Sequence, residues 1–211
     1  MSGIKKIGVL AFQGDAIEHI EATIKALQKL KLKSEVVSVR SLQDLKAVVG
    51  LIIPGGESTV LYTLCERAGM IDGIKKIPYI FGTCAGAILL AKRVEHSAPG
   101  KKTLGLMDIT VDRNAYGSQT ESFEKDIDTN LGKLHAIFIR APRIIKMSKQ
   151  VTATALDKKE ILACEEQNKH HYYLAACFHP ELTTTIFHEY FLKKVFSASL
   201  RAPLKRGVAI P

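Results

Sequence analysis

The stretch from Pro78 to Ala91 constrains the fold of this chain more than any other. It contains a short apolar run, a tight turn in which Gly82 and Gly86 flank Cys84, and a second apolar run of helical length. A side chain at the peak of a strand-to-helix turn is held in a strained backbone conformation, and bulky neighbours would clash with it. The pattern therefore predicts a strand, a turn with Cys84 at its peak, and a helix.

Two interpretations of Cys84 fit this turn. In the first, backbone N–H groups and the positive end of the helix converge on the thiol, where they would stabilise a thiolate and a developing oxyanion. In the second, Cys84 is a buried cysteine beside packing glycines, because free cysteine is among the most buried residue types. We favour the nucleophile.

The rest of the chain alternates between apolar runs and amphipathic segments. In the N-terminal half, strands are predicted over 6–12, 35–39 and 51–53, and residues 16–31 show the apolar spacing of an amphipathic helix. This alternation is typical of a parallel α/β sheet. From Ser97 the pattern becomes alternating and more polar, which predicts antiparallel or edge strands added to one side of the sheet. We place these strands at 104–113, 120–123 and 134–139, a hairpin at 151–155 and 161–165, a buried strand at 172–178, and a closing helix at 184–196.

Composition favours one soluble domain. The chain has 211 residues, of which 46% are hydrophobic and 24% charged, and no apolar run reaches the roughly 18 residues that span a membrane. The N-terminus has no signal-peptide pattern, so we expect a cytoplasmic protein. The four cysteines are far apart and lack the spacing of zinc ligands or of a disulfide framework.

The net charge of +9 does not indicate a nucleic-acid-binding protein. The lysines are scattered along predicted helices or gathered near the C-terminus, and no aromatic–basic interleaving of the RNA-binding kind is present. Residues 197–211 have no amphipathic period and contain three Pro or Gly residues. We predict a domain over 1–196 and a loosely held basic tail over 197–211.

Three loops follow predicted strands and carry chemically active residues: 54–58, 82–86 and 179–181. In an open α/β sheet, sites form at the carboxyl ends of the strands. A cysteine nucleophile needs a base, and the base needs an orienting acid. His179 and Glu181, two residues apart on an extended segment, would point the same way and supply both. Taken singly, His179 could be a surface histidine and Glu181 a helix-cap neighbour.

The loop Pro54–Ser58 and two arginines are candidates for binding a substrate. The loop offers glycine N–H groups, which suit an oxyanion hole, and it lacks the lysine of a phosphate-binding loop. Arg113 and Arg140 could each grip a carboxylate through two hydrogen bonds. The alternatives are an ordinary glycine-rich turn and surface charge.

These motifs resemble a known family. Gly82–Gly86 together with His179–Glu181 resembles the Cys–His–Glu triad of class I glutamine amidotransferases. Further segments resemble one branch, the glutaminase subunit of the two-protein pyridoxal 5′-phosphate synthase, and the similarity runs from about residue 4 to 195. These segments are Ile7–Gly14, Leu51–Thr59, Arg113–Gly117, Phe138–Pro142 and Phe178–Leu182.

The resemblance implies a flavodoxin-like, three-layer α/β fold with a mostly parallel central sheet and added antiparallel edge strands. It also implies hydrolysis of L-glutamine to glutamate and ammonia, with the ammonia passed to a barrel-shaped synthase subunit that makes vitamin B6. No metal or cofactor is expected for these steps, nor any nucleic acid or membrane partner. Carried over by position, the implied roles are nucleophile for Cys84, acid/base for His179, orienter for Glu181, substrate binding for Gly56, Glu57, Ser58, Arg113, Ile139 and Arg140, an oxyanion hole for Gly55, Gly56 and Ala85, and a partner interface for Gln13, Gly14 and His19.

Three alternatives remain open at this stage. A cysteine hydrolase or peptidase of the related superfamily would share the turn that carries Cys84, but would not need Arg113 or the Phe138–Pro142 segment. A glutaminase could serve another synthase. A non-catalytic scaffold could keep the fold, although an intact triad argues against it.

Overall fold

The computed structural model describes residues 4–97, 100, 102–113 and 122–197. One mixed sheet lies between helices on its two faces, which agrees with the predicted α/β class. The strands are β1 (Lys6–Leu10), β2 (Glu35–Val39), β3 (Gly50–Ile53), β4 (Tyr79–Thr83), β5 (Ala91–Glu95), β6 (Met107–Asp112), β7 (Phe123–Thr129), β8 (Gly132–Phe138), β9 (Arg143–Met147), β10 (Val151–Asp157), β11 (Glu160–Gln167) and β12 (Tyr172–Ala176).

The first half of the sheet is parallel, in the order β2-β1-β3-β4-β12. Strands β3, β4 and β12 are buried almost throughout, as expected for strands covered by helices on both faces. The predicted parallel α/β sheet is confirmed. Because β3, β4 and β12 are neighbours, the loops that follow them emerge side by side at one edge.

The second half of the sheet is mostly antiparallel and continues from β12 through β11, β10, β7 and β8. The predicted hairpin is present as β10 and β11. Strands β5 and β9 were not predicted, and β5 pairs with β6 in parallel rather than antiparallel orientation. The strand expected at 120–123 instead begins at Phe123, and residues 120–121 lie outside the described ranges.

The helices are α1 (Ala16–Lys29), α2 (Leu42–Lys46), α3 (Ser58–Arg67), α4 (Ile71–Ile74), α5 (Ala85–Leu90) and α6 (Ile186–Ser197). Helices α1 and α6 pack on one face of the sheet, and the other four lie on the opposite face. The short α4 was not predicted. None of the helices in the described ranges has the length and apolar character needed to cross a bilayer. The predicted tail lies almost wholly outside these ranges, so its looseness stays a prediction.

Helix α1 forms where the sequence predicts it, but only part of its apolar face is buried. Ile20, Leu27 and Leu30 pack on the core, whereas Ile17 is 69% exposed and Ile24 is 40% exposed. Small side chains let the helix approach the sheet and α6 closely, and this face holds a histidine. The buried residues are Ala16, His19, Ala22, Thr23, Ala26 and Leu27.

Candidate active site

Cys84 lies between the end of β4 and the start of α5, with φ of 46° and ψ of −105°. A positive φ is uncommon for a residue with a side chain. The Cys84 N–H donates to the carbonyl oxygen of Ala176 in β12 at 2.8 Å, which anchors the turn to the neighbouring strand. The strained turn predicted at Cys84 is therefore confirmed.

The two flanking glycines are required by close backbone approach. A Cβ at Gly82 would lie 2.6 Å from the carbonyl carbon and oxygen of Gly86. A Cβ at Gly86 would lie 2.1 Å from the carbonyl oxygen of Ile53 in β3. Contacts this short to backbone atoms cannot be relieved by rotating a side chain, so any larger residue would displace the turn.

His179 and Glu181 follow β12 and are almost fully buried. Nδ1 of His179 lies 2.7 Å from Oε1 of Glu181. The contact agrees with the expectation, but its cause differs. Glu181 lies in a single 3₁₀ turn, Pro180–Leu182, and not on an extended segment, so the turn brings the carboxylate back to the imidazole.

The two edges of the His179 ring have different environments. Nδ1 faces carboxylate oxygens, so it carries a proton that it can donate to them. Nε2 is buried and has no hydrogen-bond partner within the described residues. In the neutral ring Nε2 is therefore a free acceptor, as a general base requires. The Cys84 thiol contacts the carbonyl oxygen of Ile139, with Sγ 3.8 Å away.

The pKa of His179 is raised to about 12. Burial opposes the charged imidazolium, but interactions with Asp15, Cys84 and Glu181 outweigh it. Burial also raises the pKa of Glu181, although the hydrogen bond from His179 acts in the opposite direction. The site therefore favours a charged His179 at neutral pH.

Asp15, which the sequence did not suggest, also faces His179. Its Oδ2 lies 3.0 Å from Nδ1, and its side chain is 31% exposed. The hydrogen bond with His179 lowers the pKa of Asp15 despite partial burial. Asp15 follows β1, and it reaches the site because β1 lies beside β3. Its position directly after an apolar strand was the available signal.

His19, predicted at a partner interface, is fully buried, so its side chain cannot contact a partner in this structure. Its Nε2 lies 2.9 Å from Oγ1 of Thr83 and 3.3 Å from Oε2 of Glu181. Its Nδ1 lies 2.9 Å from Nε2 of His188 in α6. Burial lowers the pKa of His19 well below its usual range and that of His188 to about 3. Both rings are neutral.

The loop after β3 is held against the loop after β1. Gly14 has φ of 80°, and a Cβ there would lie 2.0 Å from the carbonyl oxygen of Gly55. The Gln13 side chain donates to the carbonyl oxygen of Glu57 at 2.8 Å. A Cβ at Gly55 would meet Cε1 of His179 at 2.5 Å. Gln13 and Gly14, expected at a partner interface, thus contact the loop with the predicted oxyanion-hole glycines.

The remaining predicted substrate residues surround this loop. Glu57 caps α3 by accepting from the N–H of Val60, and it also forms an ion pair with Arg113. Gly56 is exposed with φ of 120°, and Ser58 is buried at the first turn of α3. Residues 114–117 of the Arg113 motif lie outside the described ranges.

Two predicted residues flank Cys84 from opposite sides. The carbonyl oxygen of Ile139 contacts the Cys84 sulfur. The next residue, Arg140, is exposed and has φ of 44°. Ala85 is buried at the first position of α5. All these segments meet at the carboxyl ends of β1, β3, β4 and β12, or beside them.

Residues 9–197 match the family model described as the SNO glutamine amidotransferase family. The match spans most of the chain, including every predicted catalytic position. The chain belongs to the SNO glutamine amidotransferase family.

Curated relatives agree with this assignment. Pyridoxal 5′-phosphate synthase subunit PdxT of Sulfolobus acidocaldarius is 44% identical over 202 aligned residues, which cover 90% of this chain and 98% of that protein. The subunit PdxT of Pyrococcus horikoshii is 43% identical, with coverage of 90% and 99%. That of Pyrobaculum neutrophilum is 46% identical, with coverage of 89% and 97%.

Solved structures show the same fold. A crystal structure of a glutamine amidotransferase has a TM-score of 0.77 and 38% identity, and the match covers 90% of this chain and 98% of that one. A putative GMP synthase protein from Thermoplasma acidophilum has a TM-score of 0.61 at 18% identity, with coverage of 95% and 98%. At that identity the second likeness concerns the fold alone.

The other three cysteines of this amidotransferase are poor nucleophiles. Burial raises the pKa of Cys65 and of Cys177 to about 12, and that of Cys164 well above its usual range. Because the thiolate is the reactive form, these thiols stay protonated at neutral pH. Cys84 alone among the four lies at a strained turn beside a histidine.

Within the described residues, one group of three side chains has the spacing of metal ligands. Asp15, His179 and Glu181 each offer an atom within 4.8 Å of the others. The same atoms form the hydrogen bonds around Nδ1 of His179, so the geometry is that of a carboxylate–imidazole network.

Proposed function

We propose that this amidotransferase hydrolyses L-glutamine to L-glutamate and ammonia, and that it is the glutaminase subunit of a pyridoxal 5′-phosphate synthase. The observation that carries the proposal is the buried His179–Glu181 pair beside Cys84 at its strained turn, in a chain about 44% identical to PdxT subunits over nearly its whole length. The ammonia would pass to a barrel-shaped synthase subunit in a hetero-oligomer.

In the first half of the reaction, the Cys84 sulfur attacks the side-chain amide carbon of glutamine. The proton of the Cys84 thiol already lies on Nε2 of His179 at this point, because the site favours the charged imidazolium at neutral pH. The tetrahedral intermediate then expels nitrogen, which takes this proton from His179 and departs as ammonia. A thioester of Cys84 remains.

In the second half, water attacks the thioester and gives its proton to Nε2 of His179. The carbon–sulfur bond breaks, glutamate leaves, and the proton remains on Nε2 of His179, which restores the charged resting state. Backbone N–H groups at Gly55 or Gly56 and at Ala85 would stabilise the oxyanion in both halves. The carboxylate of Glu181 stabilises the imidazolium that forms in each half.

For substrate binding, we assign glutamine to the space between the Gly55–Ser58 loop and the Ile139–Arg140 segment. Arg113 would bind the α-carboxylate through charge-assisted hydrogen bonds. Its ion pair with Glu57 holds the guanidinium beside the loop. Gly56 is exposed at this loop and has a positive φ, a backbone conformation that favours glycine.

For the partner, we assign the surface formed by the Gln13–Gly14 turn and the outer face of α1. Gly14 is exposed, and Ile17 is an apolar side chain with 69% exposure. Because the turn packs on Gly55, a protein bound there would touch the oxyanion loop indirectly. The assembly and its cytoplasmic location are part of this proposal.

The test is glutamate release from L-glutamine by the purified chain, alone and with a synthase subunit from an organism that makes a PdxT relative. We expect turnover that rises when the subunit is added. Cys84→Ala should abolish turnover without lowering the melting temperature, whereas Cys65→Ala, which removes another buried thiol, should keep activity. Ile17→Asp should reduce the stimulation but not the basal rate.

Two outcomes would contradict this function. Retained turnover by Cys84→Ala would exclude Cys84 as the nucleophile. Absence of glutaminase activity with and without the subunit, while Cys84 still reacts with iodoacetamide, would favour the cysteine hydrolase alternative. Stimulation by a different synthase would leave the glutaminase activity standing and would contradict only the assignment to pyridoxal 5′-phosphate synthase.

A further inference from the structure

A buried line of three side chains lies behind the catalytic histidine. His188 of α6 contacts His19 of α1, and His19 in turn faces Glu181. All three side chains are essentially inaccessible to solvent. Apolar side chains at these two core positions would cost less folding free energy than a histidine pair, because buried polar groups must all find hydrogen-bond partners. Here the line ends at the carboxylate that orients His179.

The contacts select one tautomer for His19. If Nδ1 of His19 carried the proton, it would donate to Nε2 of His188. The proton of His188 would then lie on Nδ1 of His188. That atom is buried without a partner, so an N–H would be left unpaired. In addition, the bare Nε2 of His19 would face the carboxylate of Glu181 at 3.3 Å, lone pair against negative charge.

The opposite tautomer removes both difficulties. With the proton on Nε2, His19 donates to Oγ1 of Thr83 at 2.9 Å, and the N–H edge of the ring lies 3.3 Å from Oε2 of Glu181. Nδ1 of His19 then accepts from Nε2–H of His188, and Nδ1 of His188 keeps only an unpaired lone pair. The positive edge of a neutral ring thereby faces the buried carboxylate.

We propose that His19 is a positioning residue of the triad: the N–H edge of its ring, 3.3 Å from Oε2, keeps Glu181 with Oε1 toward Nδ1 of His179, and His188 holds His19 in this tautomer. The inference deepens the proposed function and rests on it for its kinetic part. Oε2 of Glu181 has no hydrogen-bond partner in the part of the chain that the structure describes, and the edge of the His19 ring lies 3.3 Å from it. Without His19 the carboxylate would lack a support on that side.

The consequence for titration follows from the groups around His179. These are Asp15 from the loop after β1, Cys84 from the turn after β4, and Glu181 from its own segment, with His19 from α1 behind Glu181. When Glu181 is free to turn away, the imidazolium loses its closest buried carboxylate. The pKa of His179 then falls, and the high-pH limb of kcat/KM moves to lower pH.

The experiment compares three variants of helix α1. His19→Leu removes the donor, whereas His19→Gln keeps an amide N–H at a similar distance from the backbone. Thr23→Val is the matched control, since Thr23 is buried on the same helix and its hydroxyl donates to the carbonyl oxygen of His19 at 2.6 Å. It weakens the helix without touching Glu181.

We expect His19→Leu to lower kcat by about tenfold or more with little change in KM, within the range for general acid–base groups. His19→Gln should recover part of this loss, and Thr23→Val should lower the melting temperature without lowering kcat. A kcat of His19→Leu equal to that of Thr23→Val would overturn the proposal. If His19→Leu does not fold, equal kcat and pH profile in His19→Gln and His19→Asn, whose shorter amide cannot reach Glu181, would overturn it instead.

A second measurement does not depend on glutaminase activity. In ¹⁵N NMR spectra of the unmodified chain, His19 and His188 should both be neutral with the proton on Nε2 at pH 7. A proton on Nδ1 of His19 would overturn the proposal. An inactive wild-type chain with the expected tautomers would contradict the glutaminase function and leave the contact of His19 with Glu181 standing.

Discussion

The two carboxylates that face Nδ1 of His179 differ in almost every respect. Glu181 is fully buried, lies 2.7 Å away and is backed by two neutral histidines. Asp15 is 31% exposed, lies 3.0 Å away and comes from an open turn. Their pKa shifts are also opposite, since burial raises that of Glu181 whereas the hydrogen bond with His179 lowers that of Asp15.

This difference separates two tasks. A buried carboxylate cannot exchange its partner for water, so Glu181 can hold the imidazole in one orientation through the reaction. A partly exposed carboxylate is screened by solvent, so Asp15 can adjust the pKa of His179 without orienting the ring. We expect the buried side to set kcat and the exposed side to set binding, while both carboxylates raise the pKa of His179.

The largest effect is expected from Glu181→Gln. Loss of the charge behind His179 should lower kcat by about 10²- to 10⁴-fold, with KM little changed, because orientation and imidazolium stabilisation are both lost. Steady-state glutaminase kinetics at pH 8 with the synthase subunit present would measure this. Glu35→Gln, which removes an exposed charge on β2, should leave kcat unchanged.

Stability should respond much less than activity. Because the pKa of Glu181 is raised in the folded chain, its ionisation at neutral pH costs folding free energy, and this cost fades as the pH falls below the raised pKa. Glu181→Gln removes this cost but also removes a carboxylate that raises the pKa of His179, so the variant should melt close to the wild-type temperature at pH 8. A large drop in melting temperature together with lost activity would mean that Glu181 is chiefly a structural group.

An intermediate effect is expected from Arg113→Ala on the exposed side. A charge-assisted hydrogen bond contributes about 1.5–3 kcal/mol, which corresponds to roughly 10- to 100-fold in affinity. KM for glutamine should rise by that factor while kcat changes less. Lys102→Ala, which breaks another exposed ion pair with a glutamate, is the control and should not change KM. A fall in kcat at constant KM would remove Arg113 from substrate binding.

Sequence reasoning succeeded where a local pattern decided the structure. The spacing of Gly82, Cys84 and Gly86 was enough to predict the strained turn. The buried strand before His179 and Glu181 was enough to place both residues at the site. The loops were brought together because the carboxyl ends of parallel strands share one edge.

The sequence could not reveal contacts that depend on strand order or helix rotation. Asp15 reaches His179 because β1 lies beside β3, which no local pattern encodes. His19 was assigned to a partner interface because the resemblance places the nearby Gln13–Gly14 turn there, and the exposed isoleucines of α1 suggested a different buried face. Tertiary packing against α6 selected the face with small residues instead, and it carried His19 into the core. Strand β5 was missed because its central lysine and arginine are exposed and obscure the pattern.

The smallest effect is expected from Asp15→Asn. The change should lower kcat/KM at pH 8 by less than about tenfold, because Glu181 still orients the base. Without the Asp15 charge the pKa of His179 falls from its raised value, so the imidazolium is lost at lower pH and the high-pH limb of kcat/KM moves to lower pH.

The pKa of Asp15 is lowered in the folded chain, so its stabilising contribution is present above the unfolded value near 3.8 and disappears as the pH falls through the folded one. Asp15→Asn should thus have a lower melting temperature than wild type at pH 7 and the same melting temperature at acid pH. Asp44→Asn, where a surface carboxylate with a lowered pKa accepts from the N–H of Arg40, should reproduce the stability change alone. An unchanged pH profile in Asp15→Asn would mean that Glu181 by itself accounts for the charged state of His179.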